Sequence, residues 1–533
     1  MADRDELTAS SDANNNDTAT QSSEIRPDAL AAPLASEVVL DFSLLPADAP
    51  TQMPPEGERF RAKTQANDNQ RTPLPEFSLN ESPLAAVTKR PIINLKEIGL
   101  AFLGKMDDLP QPQPLTLATF IVVALVFFLP VLYMSIVGLV AYATIVFAII
   151  EFETVFYSLA PSAITWYLLG IIAGTITVLY LVKPIFARPV EDVRPLVLDP
   201  KREPYITEFV HQIAQTIGAP EPSSIQVDAQ VRVAAGFHSG IWSMLQNKLV
   251  LSIGMPIVCG CNLRQLAGMV AHGLVHFDRG MRMRLHYMVR DINAWFERAA
   301  TQRDAFDMVL DEHADQSTLL KLLNIASRNI SFLVRRLLAL FMLTGRFLSA
   351  GMLREMESLA DRYAALIAGT DAYTDTITRL QELEFAFQRA MKQVATLQSK
   401  HQLIDDFPRF VTHLCDNLTP DERRGVHIAA AQQRPTPFDT TLTDRERLAQ
   451  VQSQPVLGIL SWNKPAAILF RDFDILNKHV SVRFYRSVFG ITVDPKTLLP
   501  LSRIVTQLAE TEEEAQARDC YLPSPLSTLD FPL

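Results

Sequence analysis

Cysteine is scarce in this chain: Cys259, Cys261, Cys415 and Cys520 are all there are in 533 residues. Four scattered thiols exclude a disulfide framework and point to a reducing compartment. Cys259 and Cys261 form C-x-C rather than the C-x-x-C of a redox or zinc-knuckle site, so they read as small buried apolar residues. Excess positive charge is also missing. A net charge of −10 excludes nucleic-acid binding by bulk electrostatics. No basic segment leading into an apolar core opens the chain, so no cleavable signal peptide is expected, and no repeat of fixed period stands out. Charge of either sign is absent from two long stretches, and these set the class of protein.

The first stretch, "LTLATFIVVALVFFLPVLYMSIVGLVAYATIVFAII", runs from Leu115 to Ile150. At 1.5 Å per residue it would reach about 54 Å, well beyond a bilayer core of about 30 Å. It is either one long helix interrupted at Pro130 or a tight pair of short ones. The second, "APSAITWYLLGIIAGTITVLYLV", suits one crossing. The region 115–182 is therefore expected to hold two transmembrane helices, with three as the variant. Glu151 and Glu153 sit in a connector without Lys or Arg. Arg90, Lys96 and Lys105 precede the first block, and Lys183, Arg188, Arg194, Lys201 and Arg202 follow the second. The positive-inside rule then places both flanks in the cytoplasm. Residues 1–90, with "SSDANNNDTATQSS" near the start, are too polar to offset the entropy of ordering and read as disordered.

From about 190 to 490 the chain reads as a mainly helical domain, followed by a C-terminal extension, 491–533. "EPYITEFVHQIAQTIGA" has helical periodicity and ends at a glycine cap, Gly218. "SSIQVDAQVRVAAGF" and "NKLVLSIGMPIV" read as short strands. "NLRQLAGMVAHGLVHF" reads as a helix with Asn262 as N-cap. Segment 330–349 is apolar but broken by Arg335, Arg336 and Arg346, which favours a surface or membrane-skimming helix over a third spanning one. Trp242, Trp295 and Trp462 read as core or interface anchors. The basic run "MRMRLHYMVR" reads as a solvated face.

Within that domain, "VAHGLVHFDRG" sets His272 and His276 four apart, which puts both imidazoles on one helix face. A tetrahedral ion needs a third protein ligand. "LREMESLADRYAALIAG" offers Glu357, and Asp361 four residues on can hold a histidine ring from behind. The donor set calls for one zinc ion.

These segments resemble a membrane-anchored branch of the zinc peptidases that includes the CAAX prenyl protease and the heat-shock protease HtpX. That family carries H-E-x-x-H on one helix and E-x-x-x-D on a later one, which "ESLADRYAA" matches from Glu357. "DDFPRF" (405–410), "FDTTLTDRERLA" (438–449) and "PAAILFRDFDIL" (465–476) resemble the same branch, over about residues 183–490. The resemblance implies a mainly α fold: a helical gluzincin-like zinc peptidase domain with a small edge sheet, preceded by transmembrane helices. It implies a multi-pass protein of the bacterial inner membrane with its peptidase-like domain in the cytoplasm. Partners would be the lipid bilayer and protein or peptide clients, with no nucleic acid.

The chain departs from that pattern where chemistry is done. Gly273 stands where the family has the glutamate that acts as general base, and Asp278 points off the metal face. Arg232 and Val233 replace the Asn-Ala pair of the substrate-binding edge strand. Thr441 and Leu442 stand where a His-Pro follows the Asp-Thr. Arg447 matches the family arginine, a possible transition-state residue. The reading is a pseudopeptidase: metal ligands kept, peptide hydrolysis weak or lost, and a binding or chaperone-like role. The alternatives are an active zinc metalloendopeptidase of membrane or misfolded proteins, and a metal-free structural membrane protein.

Overall fold

The structure, a computed structural model, describes residues 94–102, 116–158, 160–186, 195–237, 248–277, 281–301, 318–490, 493 and 498–521. The readings of residues 1–90, of Trp242 and Asp278, and of the flanking Arg90, Lys105, Arg188 and Arg194 lie outside them.

A short helix, α1 (Leu95–Ala101), precedes α2 (Leu117–Ser158), which is one continuous helix of 42 residues through Pro130. Of the two arrangements open to the first apolar block, the single long helix is the one found. It also runs through Glu151 and Glu153, so these acids form the last turns of α2 and not a connector. Helix α3 (Pro161–Phe186) returns alongside α2. Two tyrosines fasten the pair: Tyr133 Oη donates to the Leu181 carbonyl at 2.6 Å, and Tyr167 Oη to that of Ala148 at 2.9 Å. Both bonds seek backbone acceptors because an apolar surround offers a hydroxyl nothing else.

The second half begins with a four-stranded sheet, ordered β1 (Leu196–Val197), β2 (Ser224–Asp228), β4 (Leu249–Gly254), β3 (Val233–Phe237). Strands β2 and β4 run parallel, and β3 closes the outer edge antiparallel to β4. Helix α4 (Pro204–Ile217) lies between β1 and β2 and ends at Gly218 in the left-handed conformation. Helices α5 (Met255–Gly260) and α6 (Leu263–Val275) follow β4. The alternating apolar residues of β2 and β4 face one core with Ile206, Phe209 and Ile213 of α4 and Leu266 and Val270 of α6.

Helix α7 (Met281–Thr301) pairs with α8 (Thr318–Ala368), a single helix of 51 residues. Leu129 and Tyr133 of α2, Tyr180 and Leu181 of α3, Phe296 of α7 and Leu338 and Phe341 of α8 form one apolar cluster. Trp295 packs edge-on against Tyr133 in it, as an anchor should. Segment 330–349 is thus part of a long helix and not an isolated skimming one. Leu117–Tyr157, Pro161–Ile185 and Arg328–Ala368 are each long and apolar enough to cross a membrane, which marks a membrane protein. Sequence reasoning discounted the third because of its arginines, but these have partners. Arg346 is paired with Glu297 at 2.6 Å, and Arg336 lies over the Phe332 ring at 4.9 Å.

The remaining elements wrap the core: α9 (Thr370–Ser399), β5 (Leu403–Ile404), α10 (Phe407–Asp416), α11 (Pro420–Gln432), α12 (Asp444–Gln452), α13 (Phe473–Phe489), β6 (Leu498–Leu499) and α14 (Leu501–Tyr521). The described part of the C-terminal extension docks on the domain, because β6 pairs with β5 and Leu501 N donates to Asp405 at 3.0 Å. Cys261 and Cys415 are buried and free, and burial pushes their thiols up to about 12 and about 11.

Candidate metal centre

Helix α6 starts at a reciprocal cap in which the Asn262 side chain accepts from Gln265 N and the Gln265 side chain accepts from Asn262 N. Its close seat on α8 depends on Gly268. A Cβ there would stand 3.1 Å from the Ala368 Cβ and 3.3 Å from the Ala364 carbonyl, tighter than ordinary contact, so a side chain would press the helices apart by a few tenths of an ångström. That approach brings the last turn of α6 against the turn of α8 that carries Glu357 and Asp361.

Four of the residues singled out from the sequence come together there. His272 Nε2 lies 3.2 Å from one Glu357 oxygen, and His276 Nε2 lies 3.7 Å from the other. Donors about 2.0–2.1 Å from a tetrahedral zinc would stand roughly 3.3–3.4 Å apart, close to both of these separations. The three ligand atoms all fall within 4.8 Å of one another, and the group can hold a metal ion. His276 ends α6 as its C-cap residue, still in right-handed helical geometry, which preserves the shared face with His272.

Behind the ligands, His272 Nδ1 faces Asp361 Oδ1 at 3.1 Å. Asp361 is fully buried and is clamped by Arg447, whose Nε and terminal amino group reach its two oxygens at 3.0 and 2.7 Å. Arg447 thus pairs with Asp361, which in turn faces His272. Burial works against the Arg447 cation, but the Asp361 charge outweighs it and keeps the guanidinium protonated. Tyr373, which sequence reasoning missed, adjoins the same pair, and burial pushes its phenol well above the usual range. It follows α8 directly on α9, and no motif marks it.

The two imidazoles differ sharply. Burial disfavours the His272 cation, but contacts with Asp361 and Glu357 override this and hold the ring up at about 9. Burial dominates at His276 and lowers it to about 3, so this ring is neutral and has a lone pair free for a metal. His276 Nδ1 has no hydrogen-bond partner among the described residues.

Gly273 is buried where α6 meets the edge strand β3. A Cβ there would lie 3.7 Å from Ala235 N and 4.0 Å from the Val233 carbonyl, which is ordinary contact. The glycine therefore does not answer a steric need at that atom. Val233 begins β3, and Arg232 extends its mostly exposed side chain toward Asp228 at 3.7 Å. Thr441 lies in the segment between α11 and α12.

Compared with family models, curated proteins and solved structures, the chain matches none.

Proposed function

We propose that this chain is a membrane-anchored protein of the zinc metallopeptidase type in which peptide hydrolysis is weak or lost and the cleft binds protein or peptide clients. One observation carries the reading: three metal donors converge within 4.8 Å while residue 273, beside them, has no side chain. Two imidazoles and a carboxylate are the donor set of a zinc site that leaves a coordination position open. When bound, zinc supplies Lewis-acid polarisation of a carbonyl or of water. His272, His276 and Glu357 would hold it, Asp361 would keep the His272 ring in place, and Arg447 would keep Asp361 in place. The chain provides no carboxylate at position 273 to take up a proton, a service typically worth about 10²–10⁴ in rate.

The outer strand β3 beside Gly273 offers backbone groups to an extended client. Lys183 lies in the last turn of α3 and Lys201 and Arg202 follow it, whereas residues 151–160 carry no Lys or Arg. This charge bias supports an orientation with the metal domain in the cytoplasm; the multi-pass bacterial inner-membrane placement is what the family resemblance implies.

The test is the zinc content of detergent-purified protein, with His272→Ala as control. About one zinc per chain, lost in the variant, is expected. No zinc in the wild type overturns the reading in favour of a metal-free structural role. Unfolded protein substrates supply the second arm. Wild type that already cleaves them, and stops doing so as His272→Ala, is a working peptidase and not a pseudoenzyme.

A further inference from the structure

The segment between α11 and α12 reaches from the metal site to the apolar surface of α8. On α8, Phe332, Leu333, Leu340, Leu343 and Phe347 are all exposed. At 100° per residue they fall within an arc of about 100°, a single stripe. The opposite face of α8 packs inward on α2, with Phe341 against Tyr133 at 5.9 Å, so the stripe points away from the helix bundle. Its last residue, Phe347, holds the ring of Phe438 at 6.1 Å. Phe438 is itself 39% exposed, so the pair shields each ring only in part.

The same segment is tied down on its inner side. Arg354, one turn before Glu357, donates from Nε to the Asp439 carbonyl at 2.9 Å and from its terminal amino group to the Thr436 carbonyl. Thr436 N donates to the Asp439 carboxylate at 2.6 Å, which makes a tight turn with Phe438 at its tip. A polar turn that presents a single aromatic ring, next to a helix with an apolar stripe, is the construction of an interfacial anchor.

We propose that the 433–443 segment contacts the membrane. Phe438 enters the bilayer interface beside Phe347 and fastens the segment next to the metal site, with phospholipid as the partner. Continuity with the apolar stripe favours lipid, and so does Arg336, which lies exposed within that stripe over Phe332. A second copy packed stripe to stripe would bury like charges together. The proposal rests on the membrane placement of α2, α3 and α8 and is independent of metal binding.

The test is photolabelling of the full chain in phosphatidylethanolamine–phosphatidylglycerol vesicles doped with a phospholipid that carries a diazirine in its acyl chain. Labelled peptides are then mapped by mass spectrometry. Label on α2, α3, the α8 stripe and the peptide containing Phe438 is expected, and Phe438→Asp should lower the last several-fold while leaving α2 and α3 labelled. Label on α2 and α3 but none on 433–443 overturns this proposal alone. Adducts joining 433–443 to another copy of the chain overturn it in favour of a homotypic contact. Absence of label from α2 and α3 removes the membrane placement and the proposal with it.

Discussion

The two halves of α8 obey opposite rules on one uninterrupted backbone. Along residues 328–347, Phe332, Leu333, Leu340 and Phe347 face outward, Arg336 lies over a ring and Arg346 pairs with Glu297. In the last half the polarity turns inward: Asp361 is fully buried, held by Arg447 and facing His272. The difference teaches that what surrounds the helix, and not helical propensity, decides where charge can sit. Charge withdrawn from water is tolerated only where partners replace its hydration, and around Asp361 they do so in full.

That contrast can be broken by mutation. The largest effect is expected at the membrane end. Tyr133→Ala removes a fully buried ring that touches Trp295, Phe296 and Phe341, and should destabilise the protein by about 3–5 kcal/mol in detergent melts. Metal content per folded chain should not change; if it falls, the two halves are not separable. At the other end, Asp361→Asn leaves Arg447 without its carboxylate. A loss of about 3 kcal/mol is expected, the lower end for a broken buried pair because Arg447 is partly exposed. Metal affinity should drop about 10–100-fold, since His272 loses its anchor. Unchanged affinity by competition with a chelator would remove Asp361 from the metal site.

Away from both ends, Asp406 tests the cost of burying charge directly. It caps α10 by accepting from Arg409 N at 3.0 Å. Burial raises its carboxyl to about 6, although contacts with Arg409 oppose the shift. A raised acid is favoured protonated in the fold, so its contribution is intact below about pH 4 and is lost as pH rises through about 6. Asp406→Asn keeps a capping oxygen and does not titrate. Relative to wild type the variant should gain stability from pH 4.5 to pH 7.5, by up to about 3 kcal/mol. A difference that stays flat with pH rejects the assignment. The smallest effect is expected from Asn262→Ala, which removes the cap of the metal helix and should cost about 1 kcal/mol without changing zinc stoichiometry.

Much of this was legible in the chain because it is periodic or local. His272 and His276 share a face through helical spacing alone, and Asn262 and Gly218 act at the helix ends where their chemistry suits them. The apolar blocks announced α2 and α3 by length. The third long helix was obscured because Arg346 looks unpaired until Glu297, from another helix, is brought beside it. The contact of Arg447 with Asp361 was hidden, since the two lie on different helices. Tyr373 carries no signal that a linear pattern could reveal.

What the sequence by itself determined is the type of each element and the donor atoms available: helix periods, caps, apolar lengths, two imidazoles and two carboxylates at helical spacing. These depend on neighbours within a turn or two. Only the tertiary structure decided that α6 and α8 meet at Gly268, so that His272, His276 and Glu357 surround one point. It alone decided that Arg447 serves Asp361 and that Phe438 meets Phe347. The reason is physical: convergence of groups far apart in the chain is set by close packing of helices, and a missing side chain at the crossing favours their close approach.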